Sequence, residues 1–306
     1  MEQEQTPMDK TIKKLTDFMK ATGFSQNRVA NGSGISSATL SGWIKGTYPG
    51  DTDSITEKVE DYLRVEISRQ ALVNGKAPVK TRCFVTATKF LEMVQTHRVM
   101  GVFTGDAGVG KTTVLKSFVG YHSSVIFIEA DHGYTASVLF RELCSSLNLD
   151  PRGTLHDLLN RVVNKLEDSG RMIIIDEAEH LPYRALELIR RVYDKAGVGI
   201  ALVGMSRLER NIKGDPTHYA QLNSRVSLPC RAQNLSDADV KLIMDSAFNT
   251  NTDKDMVTLC AKLCHRNARL LETIIRWSGV LMSKYKETTL NSDIITSASD
   301  MLSVAA

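Results

Sequence analysis

The sequence has no long apolar run. No stretch of its 306 residues approaches the ~18 consecutive apolar residues of a membrane span, and the opening Met1-Glu2-Gln3-Glu4 carries no apolar signal core. No membrane association and a cytoplasmic location are therefore expected. A disulfide framework is also missing. The five cysteines, Cys83, Cys144, Cys230, Cys260 and Cys264, are odd in number and scattered, which suits a reducing compartment. Cys260-x-x-x-Cys264-His265 resembles half of a zinc site, but no second cluster completes four ligands, so the pair reads as two small apolar side chains on one helix face. Nor is there a polybasic tail. With a formal charge of only +3, any contact with nucleic acid has to come from a local patch. The remaining composition is that of an ordinary globular chain with ample core, long enough for one large domain or about two to three small ones.

What is present centres on Gly105-Asp106-Ala107-Gly108-Val109-Gly110-Lys111-Thr112, after the apolar run Val99–Phe103 and before a helix-compatible segment that starts at Thr113. The spacing G-x-x-x-x-G-K-T is that of a P-loop. Its glycines let successive N–H groups, together with the positive end of the next helix, face a polyphosphate. Lys111 would reach the β- and γ-phosphates, and the Thr112 hydroxyl would bind Mg²⁺. Downstream, Met172-Ile173-Ile174-Ile175-Asp176-Glu177 reads as a buried parallel strand ending in two carboxylates. Asp-Glu after an apolar run can also mark a helix N-terminus, but with a P-loop upstream the pair completes what Mg²⁺-dependent ATP chemistry requires. Asp176 would hold the metal shell, and Glu177 would polarise the water that attacks the γ-phosphate.

Before this region, residues 9–21 place Ile12, Leu15 and Met19 on one helical face, and Ser25 can cap a second helix with Val29 and Ala30 inward. Asn31-Gly32-Ser33-Gly34 supplies a turn. Ser36 can then cap a helix carrying Leu40, Trp43 and Ile44. Short helices joined by a Gly-containing turn resemble the helix-turn-helix domains of phage repressors over about residues 9–65. That resemblance puts Ser36, Ser37, Thr39, Ser41 and Lys45 on or beside a DNA-facing surface; a small helical protein-interaction module is the other reading. Ser54-Ile55-Thr56-Glu57 has the capping-box pattern for a further helix through Val59, Leu63 and Ile67, which Asn74-Gly75 would end.

Lys76-Ala77-Pro78-Val79-Lys80 offers little to pack. We therefore expect an all-α helix-turn-helix domain over residues 1–75, a linker over 76–83, an α/β core over 84–231 and a helical lid over 232–306. In the core, the runs Val99–Phe103, Val125–Glu129, Met172–Ile175, Gly199–Val203 and Val226–Leu228 alternate with amphipathic stretches and predict a five-stranded parallel sheet. After Ala232 such runs stop, and Ser236, Thr252 and Ser292 are candidate helix caps.

P-loop, Asp-Glu strand, later strands and lid together resemble the AAA+ ATPases over residues 84–306. In that family a polar sensor ends the strand after the Asp-Glu pair, whereas here Met205 stands in that place, with Ser206 beside it. The resemblance implies ATP hydrolysis, and the departure at Met205 implies that intrinsic turnover is slow. The resemblance also implies that Arg225, just before the fifth strand, is an arginine finger acting on a neighbouring subunit, and that Arg269 contacts the nucleotide in its own subunit. A surface ion pair and a solvated helix charge are the respective alternatives.

The order of parts, with Ile174-Ile175-Asp176-Glu177-Ala178, Ser224-Arg225 and Ala268-Arg269-Leu270-Leu271, is similar to the transposition B proteins of phage Mu and its relatives. This implies an ATP-dependent, largely sequence-nonspecific binder of duplex DNA that assembles into a helical filament. It would deliver target DNA to a transposase, stimulate strand transfer and leave on hydrolysis, in the host cytoplasm if phage-encoded. A filament multiplies a few phosphate contacts per subunit. Candidate contacts, placed on loops, are Arg152 in one turn and Arg207, Arg210 and Lys213 after the fourth strand. An ATP-switched regulator that reads an operator, or a helicase loader, is the alternative.

Overall fold

The computed structural model describes residues 7–22, 24–72, 78–214, 219–285, 287 and 289–303. The chain divides into two compact units, residues 1–76 and 77–306. The first contains α1 (Pro7–Thr22), α2 (Gln26–Gly32), α3 (Ser37–Ile44) and α4 (Thr52–Leu72). Leu15, Val29, Ala30, Leu40, Trp43, Val59 and Leu63 form its core. The Trp43 indole N–H, buried with the ring, is satisfied by Thr56 Oγ1 at 3.2 Å, as a buried polar tip requires.

Ser25 and Ser36 cap α2 and α3 by accepting the N–H of Arg28 and Thr39, each cap being worth about 1 kcal/mol. The cap expected at Ser54 lies elsewhere. Asp51 Oδ1 accepts the N–H groups of Asp53 and Ser54, so α4 starts earlier and Ser54 lies within its first turn. The stop expected at Asn74-Gly75 falls outside the described residues.

The second unit opens with α5 (Arg82–His97) and continues β1 (Met100–Thr104), α6 (Lys111–Tyr121), β2 (Val125–Glu129), α7 (Ala136–Ser146) and α8 (Leu155–Leu166). There follow β3 (Met172–Asp176), α9 (Tyr183–Ala196), β4 (Gly199–Gly204), α10 (Ser206–Gly214), α11 (Ala220–Asn223) and β5 (Val226–Arg231). Helix α5 begins inside the stretch expected as linker, 76–83. Thr81 accepts the Phe84 N–H as the cap of α5, and Cys83 is buried against the sheet, because the α5 pattern of Cys83, Ala87, Phe90, Leu91 and Val94 already presents an apolar stripe there.

All pairings in the five-stranded sheet are parallel, in the order β2-β3-β4-β1-β5. The inner strands β1, β3 and β4 are buried at every residue, whereas the edge strand β5 alternates and tolerates Pro229. Helices α7, α8 and α9 pack on one face and α5 and α6 on the other. This order matters for chemistry. With β4 inserted between β1 and β3, its C-terminal tip lies between the glycine loop after β1 and the two carboxylates after β3.

The chain ends in α12 (Asp237–Phe248), α13 (Lys254–Leu263), α14 (Ala268–Tyr285) and α15 (Ser292–Ser303), packed around Val240, Met244, Leu271 and Ile274. Cys260 and Cys264 lie in this core, where burial pushes the Cys260 thiol up to about 12. Ser236 caps α12 with a full capping box. Two other expected caps are displaced by one residue: Asp253 rather than Thr252 accepts from Met256, and Asn291 rather than Ser292 accepts from Ile294. No described helix is long and apolar enough to cross a membrane.

Candidate nucleotide site

Residues Gly105 to Gly110 link the end of β1 to the start of α6, and two of the glycines hold left-handed backbone, Gly108 at φ 77° and Gly110 at φ 101°. At Gly108 a side chain is excluded twice over: by the angle, and because a Cβ would meet Asn267 Oδ1 at 2.4 Å. Lys111 is nearly buried and donates its ammonium to the Gly105 and Asp106 carbonyls, at 2.9 and 3.1 Å. It is thereby held across the loop it follows.

Thr112 Oγ1 donates to Asp176 Oδ2 at 2.6 Å, joining the first turn of α6 to the end of β3. Asp176 is fully buried. Burial raises its carboxyl above the usual range, and hydrogen bonds from Thr112 and the Glu177 N–H pull it part of the way back. A hydroxyl and a carboxylate are hard oxygen donors, the set that suits Mg²⁺. The residues present therefore fit the Mg²⁺ that the resemblance to AAA+ ATPases implies.

Glu177 adopts left-handed backbone at φ 52°, which turns the chain sharply off β3. Its carboxyl is also raised, first by burial and then by the charges of Glu179 and Asp176. His180 Nε2 lies 3.9 Å from Glu177 Oε2, and the His180 ring packs on His132.

A cavity of about 300 Å³ adjoins Lys111, Thr112 and Glu177. Residues 107–114 and Glu177 line it, together with the apolar side chains of Pro78, Val79, Phe84 and Ile243 and with Arg269 and Glu272 of α14. Thr113 belongs to this lining. Met205 also lines it and is 41% exposed; its thioether is at best a weak hydrogen-bond acceptor and donates nothing. Arg269 is anchored by its main chain, whose N–H reaches the Gly108 carbonyl at 3.1 Å. Arg225 is not among the residues that line the cavity. Its Nε is paired with Asp194 at 2.8 Å, and Asp194 also holds Arg190.

Sequence reasoning missed the residues that bind the C-terminal helices to the α/β core. Asn267 accepts the Arg269 and Leu270 N–H groups, and so caps α14, while its Nδ2 donates to the Ala107 carbonyl at 2.7 Å. Its position just before Ala268 is a capping signal that could have been read. Arg82 pairs with the buried Asp239 at 3.1 Å and also donates to the Asn234 carbonyl. No local pattern marks that pair.

The DNA candidates fall on several elements and in both units. Ser36 and Ser37 are exposed, but their hydroxyls are engaged with Thr39 and Asn27. Lys45 ends α3 and is exposed. Arg152 lies in a turn, beside Asp150, with 90% of its side chain exposed. Arg207, Arg210 and Lys213 are on α10 rather than on a loop, since Leu208 and Ile212 give that segment a buried stripe; Lys213 is paired with Glu209 at 2.7 Å.

Comparison with known proteins bears on the family and the fold. An AAA domain family matches residues 94–212. The chain is 30% identical over 253 residues, 80% of its length and 87% of the relative's, to the Mu-like prophage FluMu DNA transposition protein B of Haemophilus influenzae. It is 28% identical to the ATP-dependent target DNA activator B of Escherichia phage Mu, over 76% of this chain and 75% of that one. Among solved structures, the Aeropyrum pernix ORC2 protein in its ADP form superposes with a TM-score of 0.58 at 14% identity, covering 76% of this chain and 72% of that one. That likeness bears on the fold alone.

Proposed function

The chain belongs to the family of Mu-type transposition B proteins, AAA+ P-loop proteins that help transposition, and from that premise we propose that it is a Mg²⁺-dependent ATPase that assembles on duplex DNA and presents it to a transposase. The observation that carries the nucleotide half is the Thr112–Asp176 hydrogen bond, which ties the acidic strand to the P-loop helix beside the cavity that Lys111, Thr112, Glu177 and Arg269 line. The DNA and transposase half is supported by the name of the phage Mu relative, a target DNA activator.

Loop N–H groups and Lys111 would bind the phosphates, and Pro78, Val79, Phe84 and Ile243 offer the base an apolar slot. Thr112 and Asp176 would hold Mg²⁺, whose charge would offset that of the phosphates. Glu177 would orient water, and Arg269, carried by the lid, would report the phosphates to α14. Arg225 would serve the site of a neighbouring subunit in an ATP-dependent helical assembly. Repetition along that assembly would supply the DNA affinity, with Arg152, Arg207, Arg210 and Lys213 as contacts. The helices of residues 7–72 would add weak, sequence-tolerant binding through Lys45 and the α3 hydroxyls, because α3 offers no Arg for a bidentate base contact.

The test is a salt titration of full-length protein on two unrelated duplexes, with and without Mg-ATP. Nearly equal, ATP-dependent affinities that fall steeply with salt are expected. Strong preference for one duplex, or binding indifferent to ATP, would contradict the proposal and favour an operator-reading regulator.

A further inference from the structure

The tip of β4 is where this chain departs from the AAA+ pattern, since residue 205 brings a methionine to the cavity instead of a hydrogen-bonding side chain. The backbone there is held from both sides. The Gly204 carbonyl accepts the N–H of Gly105, the first residue of the phosphate loop, at 3.2 Å. The Met205 N–H donates to Glu179 Oε1 at 2.8 Å. One peptide unit therefore links the phosphate loop to the turn that follows Asp176-Glu177.

Glu179 lies on the 3-10 turn Ala178–His180 and is only 9% exposed. Its second oxygen, Oε2, has no hydrogen-bond partner among the described residues. Burying a carboxylate in this way costs free energy that a surface glutamate would not incur. The packing leaves room for it at one point. A Cβ at residue 204 would lie 1.9 Å from Glu179 Oε2 and 3.0 Å from its carboxyl carbon, so the carboxylate reaches the 205 N–H because residue 204 is glycine.

We propose that Glu179 is a positioning residue for hydrolysis: it clamps the β4 tip to the acidic turn, so that Glu177 and the phosphate loop keep their register without a polar side chain at 205. The clamp works through the main chain, and this is why a methionine is tolerated at the tip. The inference rests on the ATPase reading above, but the clamp itself can be observed without turnover.

Three full-length proteins are compared: wild type, Glu179→Ala and Glu179→Gln, whose amide oxygen can accept the same N–H. With duplex DNA and Mg-ATP, Glu179→Ala should lose about tenfold or more in kcat with KM for ATP within about twofold, and Glu179→Gln should stay within about threefold of wild type. In the nucleotide-free proteins, amide hydrogen exchange at Met205 should be slow in wild type and Glu179→Gln and at least about tenfold faster in Glu179→Ala. Wild-type kcat in Glu179→Ala, a Glu179→Gln as impaired as Glu179→Ala, or equal Met205 protection in all three would overturn the inference. A wild-type chain unable to hydrolyse ATP would strike the proposed function instead. The clamp would then be judged by the Met205 amide, and rapid exchange in wild type would refute it.

Discussion

Asn267 donates its Nδ2 to the Ala107 carbonyl at 2.7 Å, across 160 residues of chain, while its Oδ1 caps α14 through the Arg269 and Leu270 N–H groups. One side chain thus fixes the crest of the phosphate loop and the first turn of the helix that carries Arg269. Asn267→Asp keeps the capping oxygen and removes the donor. Its thermal stability should stay near that of wild type, with ATP affinity weakened about tenfold. Asn267→Ala should lose the same affinity and about 1 kcal/mol of stability as well. Unchanged nucleotide affinity in Asn267→Asp, measured by titration, would show that the loop does not need this contact.

Arg225 is paired with Asp194 and is not among the residues that line the cavity, which is what its proposed role in a neighbouring site requires. Arg225→Ala should leave ATP binding by isolated subunits intact and cut DNA-stimulated turnover, by up to the roughly 10³–10⁵-fold that arginine fingers supply in related systems. Steady-state turnover with and without duplex DNA separates the cases. Undiminished stimulated turnover would assign Arg225 to a surface ion pair.

Asp239 gives a pH signature. Burial alone would raise its carboxyl, but hydrogen bonds from Ser236 and Arg82 outweigh burial and hold it below the usual value. A carboxyl depressed in the folded state contributes stability that is present above its unfolded pKa, about 3.9, and is lost as pH falls through the lower folded value. Thermal unfolding of wild type against Asp239→Asn should therefore show a stability gap that is constant from pH 7 to about pH 5 and narrows below about pH 4. A gap that persists unchanged at pH 3 would mean that the Arg82–Asp239 contact does not join α5 to the lid in solution.

The chemistry-bearing stretches were legible because each is contiguous: Gly105 to Thr112 and Met172 to Glu177 carry their function in local spacing, and Ser25, Ser36 and Ser236 announce their helices within four residues. Other caps were misplaced by one to three residues. Asp51 competes with Ser54, Asp253 with Thr252, and Asn291 with Ser292, and which neighbour takes the extended backbone of a cap depends on where the helix packs. The contacts that close the site were not legible at all. Asn267–Ala107 and Arg82–Asp239 join residues 160 and 157 apart, and Glu179 looks like an ordinary acidic residue until the strand order places Met205 beside it. Likewise the α10 cations resembled loop charges because only the burial of Leu208 and Ile212 reveals the helix.

The central claim is that ATP held at Lys111 builds an assembly on DNA of any sequence, and electron microscopy of the full-length protein with Mg-ATP and random-sequence duplex tests it most directly. Regular filaments along the DNA are expected with wild type, longer-lived ones with Glu177→Gln, and bare DNA with a folded Lys111→Ala. Bare DNA with wild type, or filaments on Lys111→Ala as abundant as on wild type, would contradict the account.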